Sequence, residues 1–117
     1  MDGDQVRNWL RGQPGASETT PFGPDALVYK VGGKMFAVTP LDGSTVTLKC
    51  DPGWASVLRA QHSQITPGYH TNKRHWNTVR IDAALPSDLV LEMLEHSYTL
   101  VVDSLSRPAR SRLRSSS

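Results

Sequence analysis

The pair Gly32-Gly33 constrains the fold of this chain more than any other feature, because it separates two apolar segments, 27–31 and 34–39, by two residues. A two-residue hairpin turn requires positive φ at both turn positions, which glycine adopts without strain. The spacing therefore predicts an antiparallel hairpin in which Tyr29 pairs with Phe36. Alternation of side chains then places one apolar set on a single face, which we expect to be the core: Leu27, Tyr29, Val31, Phe36 and Val38.

Two further segments alternate in the same way and predict strands of the same sheet. Asp42-Gly43 indicates a second turn, after which residues 45–50 alternate threonine or lysine with apolar side chains. Residues 76–81 alternate again, with Val79 directed inward and Trp76 outward. Together with the hairpin, these segments predict an antiparallel sheet of four to five strands.

Three segments have the apolar spacing of helices, at 4–11, 52–61 and 88–106. Asp51-Pro52 is a start signal for the second of them, because Asp caps free amides and Pro fits the first helical position. The resulting order, α-β-β-β-α-β-α, indicates the α+β class, with helices backing the sheet in a two-layer arrangement.

The length of 117 residues and the single cysteine indicate one domain, over residues 1–106, in a reducing compartment such as the cytoplasm. No apolar run reaches the roughly 18 residues of a membrane span, so we expect no membrane contact. Residues 12–24 are expected to form an ordered loop with Phe22 against the core. Residues 107–117 form a basic tail rich in Arg and Ser, which we expect to be mobile.

Charge is unevenly distributed along the chain, although the formal net charge is only +2. Residues 26–80 contain an excess of Lys and Arg, whereas residues 81–106 contain Asp and Glu and no Lys or Arg. Such a separation steers an anionic partner toward one side of the molecule. An acidic helix beside a basic sheet produces the same pattern in any small protein of this kind, so charge alone leaves both interpretations open.

The segment 68–77 contains the densest group of polar, charged and aromatic side chains in the sequence. If the segment is a nucleic-acid site, its cations bind phosphates, its amides bond bases or phosphates, and its aromatic rings stack on bases. If it is a structural loop, its tryptophan packs within the fold, its asparagines bond the turn backbone and its cations are solvated. The candidate contacts in this segment are Tyr69, Asn72, Lys73, Arg74, His75, Trp76 and Asn77.

The predicted strands also place basic side chains on the face opposite the core. Lys30, Lys49 and Arg80 are expected on that face and complete the set of candidate nucleic-acid-binding residues. Met35, Trp76 and the threonines at 45, 47 and 78 share it. If the helices leave this face open, it can lie along a phosphate backbone, although a merely solvated sheet face has the same composition.

The sequence predicts no metal, cofactor or catalytic site. His70 and His75 are five residues apart, a step that fits neither one helical face nor one strand face, and no cysteine pair or carboxylate cluster accompanies them. Cys50 lies beside Lys49 before a helix N-terminus, a position that favours a thiolate, but alternation directs its side chain into the core. We expect Cys50 to be structural.

Several sequence blocks follow one another along the chain. They are Pro21-Phe22-Gly23-Pro24, Val28-Tyr29-Lys30-Val31-Gly32-Gly33-Lys34-Met35-Phe36, Leu48-Lys49-Cys50-Asp51-Pro52, Pro67-Gly68-Tyr69-His70, Asn72-Lys73-x-His75-Trp76-Asn77-Thr78-Val79 and His96-Ser97-Tyr98-x-Leu100-Val101. In this order they resemble the MmcQ/YjbR family of small bacterial proteins, and the resemblance extends from about Pro21 to Leu113. It implies a CyaY-like fold, a sheet backed by helices, and binding to DNA.

These observations favour a non-enzymatic module that binds nucleic acid, DNA in the first place, weakly and mainly through phosphates. A second hypothesis is a protein-interaction or chaperone-like module that uses the same open sheet face. A third is an enzyme with a small-molecule pocket around His70, His75 and Trp76. A continuous positive stripe on the folded surface favours the first hypothesis, and a broken stripe favours the second.

Overall fold

The chain folds into one antiparallel sheet with helices against one of its faces. The structure, a computed structural model, describes residues 1–68, 71–81 and 85–116. Its helices are α1 Gly3–Arg11, α2 Pro52–Gln61, α3 Ser87–Asp103 and α4 Arg107–Ser116, and its strands are β1 Ala16–Thr19, β2 Ala26–Val31, β3 Lys34–Pro40, β4 Thr45–Lys49, β5 Ile65–Pro67 and β6 Trp76–Arg80. In this part of the chain the strand order is β1-β2-β3-β4-β6-β5, with every pairing antiparallel. The predicted α+β class is confirmed.

The two edge strands are additions to the predicted sheet. β1 lies within residues 12–24, which we expected to form a loop, and β5 has only three residues and ends at Pro67. Edge strands contact one neighbour and face solvent, so they lack the apolar alternation that reveals an inner strand. The prediction that Phe22 packs against the core is wrong, because this side chain is 76% exposed.

The hairpin between β2 and β3 is confirmed at its turn and differs from the prediction beyond it. Gly32 and Gly33 both have positive φ, at 58° and 79°, and the pair next to the turn has the expected register. A β-bulge then shifts the register by one residue, so that Tyr29 pairs with Ala37 and not with Phe36.

The bulge decides which β3 side chains enter the core. Phe36 and Ala37 are both fully buried there, because the extra residue interrupts the alternation. Val38 is consequently turned to the opposite face, where it pairs with Val28. The prediction that Val38 belongs to the core face is therefore wrong.

A serine from α3 completes the hydrogen bonding at the bulge. The Ser97 hydroxyl donates to the Phe36 carbonyl at 2.6 Å and accepts the backbone N–H of Lys49 at 2.9 Å. The β3–β4 register resumes beside it, where Ala37 pairs with Leu48. Ser97 is fully buried, and its hydroxyl satisfies the buried Phe36 carbonyl and the partly buried Lys49 N–H.

The apolar faces of the first three helices pack on one side of the sheet. α1 begins in a capping box, in which Asp2 accepts the Gln5 N–H and Gln5 accepts the Asp2 N–H, both at 2.8 Å. None of the described helices is long and apolar enough to cross a membrane. The buried helical residues are Val6, Leu10, Ala55, Leu58, Val90, Met93, Leu94, Ser97 and Val101.

The basic segment after residue 106 differs from the predicted mobile tail, because it forms α4. Ser106 starts this helix, since its hydroxyl accepts the N–H of Ala109 and its carbonyl accepts that of Arg110. Leu113 is half-buried against the core next to Gly15, whose missing side chain leaves room for it. The apolar Leu113 thus joins α4 to the core.

Replacing Ser97 by Ala removes the hydroxyl that bonds the buried Phe36 carbonyl and the partly buried Lys49 N–H. We expect the free energy of unfolding, measured by urea denaturation, to fall by about 2 kcal/mol. Ser63→Ala, in an exposed turn, is the control and changes stability by less than about 0.5 kcal/mol. A Ser97→Ala protein as stable as the control contradicts this role for the hydroxyl.

Candidate binding face of the sheet

The sheet face opposite the helices, which we call the open face, is built around a row of paired residues. The pairings align β1 to β6 so that small apolar and hydroxyl side chains lie next to one another across the whole sheet. Neighbouring strands are about 4.8 Å apart, so this row runs perpendicular to the strands. The row consists of Thr19, Val28, Val38, Thr47, Thr78 and Thr66.

A concave cavity of about 830 Å³ lies on the open face, and we call it the groove. The Thr47 and Thr78 hydroxyls are hydrogen-bonded to each other at 2.9 Å in its wall. Its lining residues carry no charge, and their side chains are either apolar or hydroxyl-bearing. They are Phe22, Ala26, Met35, Val38, Pro40, Thr45, Thr47, Thr66, Pro67, Thr71 and Thr78.

A second row of side chains, which we call the basic row, borders the groove. It consists of Lys30, Met35, Lys49 and Trp76, because Lys30 pairs with Met35 and Lys49 pairs with Trp76. The two lysines are on β2 and β4, with β3 between them, so their backbones are about 10 Å apart. Neither ammonium group forms an ion pair within the described residues.

Arg80 also faces the open side, as expected, but it lies far from the basic row. It pairs with Thr45, four residues along the strands from the Lys49 and Trp76 pair, which corresponds to about 13 Å. The positive side chains are therefore concentrated at one end of the open face, and the uncharged groove separates them from Arg80.

The loop before β6 uses several of its polar groups to hold its own shape. The Asn72 side chain accepts the N–H of Arg74 at 3.0 Å, and the Lys73 ammonium donates to the Gly68 carbonyl at 3.2 Å. Arg59 of α2 donates to the Lys73 carbonyl at 2.8 Å. For Asn72 and Lys73, these contacts support the structural interpretation of the loop.

Of the three candidates at positions 74–76, one is exposed and two pack or bond against neighbouring segments. Arg74 is exposed, and Trp76 is half-buried over Gly68, where any side chain would collide with the tryptophan. The His75 carbonyl accepts the N–H of Cys50 at 2.7 Å, so this residue joins the loop to the end of β4. Tyr69, the remaining candidate in this segment, lies outside the described residues, as does His70.

Asn77 does not lie on the open face. It alternates with Trp76 and Thr78, so its side chain enters the core side, where it is 2% exposed and reaches the Ala55 carbonyl at 3.5 Å. The prediction that Asn77 contacts a base or phosphate is wrong for this reason. The alternation of β6 already contained the signal, because Asn77 has the same parity as the inward-facing Val79.

Cys50 and His96 lie on the helix side of the sheet, close to the start of α2. Burial raises the pKa of the Cys50 thiol to about 11, and the neighbouring Asp51 carboxylate adds to the shift. His96 accepts the Asp51 N–H at 3.1 Å, and burial lowers the pKa of its imidazole. In the described residues no group of three or more His, Cys, Asp or Glu is placed to hold a metal ion.

These features define a class of protein: a small antiparallel sheet with helices on one face and an uncovered groove on the other. Within it, the chain belongs to the YjbR family, whose model matches residues 11–100. The family resemblance drawn from the sequence blocks is thereby confirmed.

Relatives cover most of this chain. The uncharacterized protein YjbR of Escherichia coli strain K12 is 32% identical over 111 residues, which span 93% of this chain and 94% of that protein. The uncharacterized protein YbdF of Escherichia coli O157:H7 is 36% identical over 96 residues, 80% of this chain and 79% of that protein. These names state no activity, so a proposal about function depends on the surface of the chain itself.

Solved structures share the fold. Deinococcus radiodurans protein DR2400, a DUF419 domain, is similar with a TM-score of 0.87 and 38% identity, over 94% of this chain and 86% of that chain. A protein from Pseudomonas syringae is similar with a TM-score of 0.74 and 24% identity, over 86% of this chain and 99% of that chain. The second likeness concerns the fold alone.

The raised pKa and the burial of Cys50 predict a slow thiol. At pH 8 its thiolate fraction is about 100-fold below that of a thiol with the ordinary pKa of 9.0. We expect a thiol reagent to label native Cys50 at least that much more slowly than the protein unfolded in guanidinium. Equal labelling rates in the two states contradict a structural Cys50.

Proposed function

We propose that this protein is a non-enzymatic module that binds nucleic acid through the open face. The observation that carries the proposal is the basic row, in which two lysines and a tryptophan stand beside an uncharged groove. The strand residues that share this face include no Asp or Glu. A surface with charges of one sign attracts an anionic partner with no competing repulsion.

Lys30, Lys49 and Arg74 are the cations best suited to phosphates. Lys30 and Lys49 are partly exposed to solvent and Arg74 is exposed, and none of the three forms an ion pair within the described residues. The spacing of about 10 Å between the two lysine backbones leaves their flexible side chains free to contact nearby phosphates of one strand. Trp76 ends the row and offers its ring for stacking on a base.

Four acidic residues of the segment 81–106 lie away from this surface. Asp88, Glu92, Glu95 and Asp103 all belong to α3, which packs on the other side of the sheet. The acidic side chains of α3 therefore lie on the side of the sheet opposite to the basic row. Repulsion from α3 does not oppose the approach of a polyanion to the basic row.

The cations of the basic row lie at one end of the open face and do not form a continuous positive stripe across it. This arrangement supports a second candidate function, the binding of another protein. The groove between the basic row and Arg80 is uncharged, and Phe22 at its rim is 76% exposed. An exposed apolar depression of this kind is typical of a surface that docks another protein. The protein-interaction hypothesis, including a chaperone-like role, is carried by this observation.

If phosphates bind to the basic row, affinity for an oligonucleotide falls steeply as salt rises. Three contacts predict a slope of log affinity against log salt of about −2 to −3, from about −0.7 to −0.9 for each neutralised phosphate. We expect Lys30→Gln or Lys49→Gln to flatten this slope by about one contact, measured by fluorescence anisotropy between about 50 and 200 mM salt.

Lys34→Gln is the matched control. Lys34 belongs to the same hairpin, but its ammonium donates to the Ser104 carbonyl at the end of α3, on the helix side. Its removal changes the net charge equally and should leave the slope unchanged. No binding by the folded wild-type protein at about 50 mM salt removes the nucleic-acid proposal and moves the protein-interaction candidate to first place.

A further inference from the structure

We infer that the nucleic acid is single-stranded, and that its bases enter the groove while its phosphates follow the basic row. This inference rests on the proposed function and specifies the form of its ligand. It is carried by the position of an uncharged, threonine-lined cavity directly beside Lys30 and Lys49, whose ammonium groups form no ion pair in the described part of the chain.

The two rows are separated by a distance that suits one nucleotide. Lys49 and Thr47 are two residues apart on β4, and Trp76 and Thr78 are two residues apart on β6. Two strand residues span about 7 Å, which is comparable to the distance from a phosphate to the base that it carries. A strand lying with its backbone over the lysines would therefore direct its bases over the threonines.

The lining of the groove matches the chemistry of an unstacked base. Val38, Met35 and Ala26 offer apolar contact to the base plane, and a threonine hydroxyl both donates and accepts hydrogen bonds. The cavity of about 830 Å³ is within the usual range for ligand sites, about 300 to 1,000 Å³. Since hydroxyls serve either hydrogen-bonding pattern, we expect little preference among the four bases.

Phe22 gives the groove an aromatic edge. Its ring is 76% exposed although it lines the cavity, so it is free to stack on a base that enters. With Trp76 at the end of the basic row, two aromatic rings flank the bases and the cations. Aromatic stacking platforms beside positive charges are the common feature of proteins that bind single strands without sequence preference.

A duplex fits this face less well. Its bases are paired and stacked inside, so they cannot enter the groove and make no contact with its apolar and hydroxyl lining. A single strand can use the groove and the basic row together, whereas a duplex can use the basic row alone.

The test compares three probes on the wild-type protein at about 50 mM salt: a short oligothymidylate, an abasic oligomer with the same number of phosphates, and the matching duplex. We expect the oligothymidylate to bind at least tenfold more tightly than the other two, since each stacked base contributes about tenfold or more. Equal affinity for all three, with a normal salt slope, overturns this inference and leaves the proposed function intact.

Two variants separate the groove from the basic row. Phe22→Ala removes an exposed ring, and we expect it to weaken oligothymidylate binding about tenfold while the abasic oligomer is unaffected. Val57→Ala, at an exposed apolar position on α2, is the matched control and should change neither. Val38→Ala removes apolar surface from the groove and should weaken oligothymidylate binding severalfold, without altering the affinity for the abasic oligomer or the salt slope.

The results distinguish the binding of bases in the groove from nucleic-acid binding in general. If Phe22→Ala and Val38→Ala, with native circular dichroism spectra, bind oligothymidylate like wild type, the bases do not use the groove and the inference is overturned. If no nucleic acid binds at all, the proposed function fails as well. Binding of an acidic peptide with apolar residues in place of nucleic acid would also overturn both, and would assign the groove to a protein partner.

Discussion

The β-bulge at Phe36, held by the Ser97 hydroxyl, is the constraint on which the two faces of the sheet depend. One extra residue in β3 places Phe36 and Ala37 together in the core and turns Val38 outward. Without the bulge, alternation would bury Val38 and leave a different side chain on the open face. The groove and the core are therefore two consequences of one local irregularity.

The same irregularity needs support from a helix, because a bulge leaves strand groups without their regular partners. Ser97 provides one donor and one acceptor at this point, and it does so from the middle of α3. The position of α3 is thereby coupled to the register of β3 and β4. A change that moves α3 would also shift the position of Lys49 in the basic row, since the Lys49 N–H is one of the two groups that Ser97 bonds.

The sequence was sufficient for features that local chemistry decides, and insufficient where tertiary packing decides. Gly32-Gly33 predicts the hairpin turn, because positive φ at two adjacent positions leaves few alternatives. The bulge has no such signature, since an apolar residue at Phe36 fits both registers. Edge strands β1 and β5 escape prediction because solvent and a single neighbour impose no apolar pattern on them.

The candidate site shows the same division. Lys30, Lys49, Trp76 and Arg80 were predictable on the open face from period-two alternation alone. The groove was not, because it requires Val38 and the loop carrying Phe22 to be where the bulge and the fold put them. α4 likewise escaped prediction, since the contact of Leu113 near Gly15 depends on tertiary packing that the sequence pattern does not reveal.

If the open face, and not the helical side, receives the ligand, the contact can be mapped directly. Backbone amide chemical shifts of isotope-labelled protein are recorded as it is titrated with a short oligothymidylate at about 50 mM salt. We expect the largest changes on β2, β3, β4 and β6, centred on Lys30, Met35, Lys49 and Trp76, with α1 and α3 little affected. Changes centred on α3 or α4, with the open face unaffected, would contradict it.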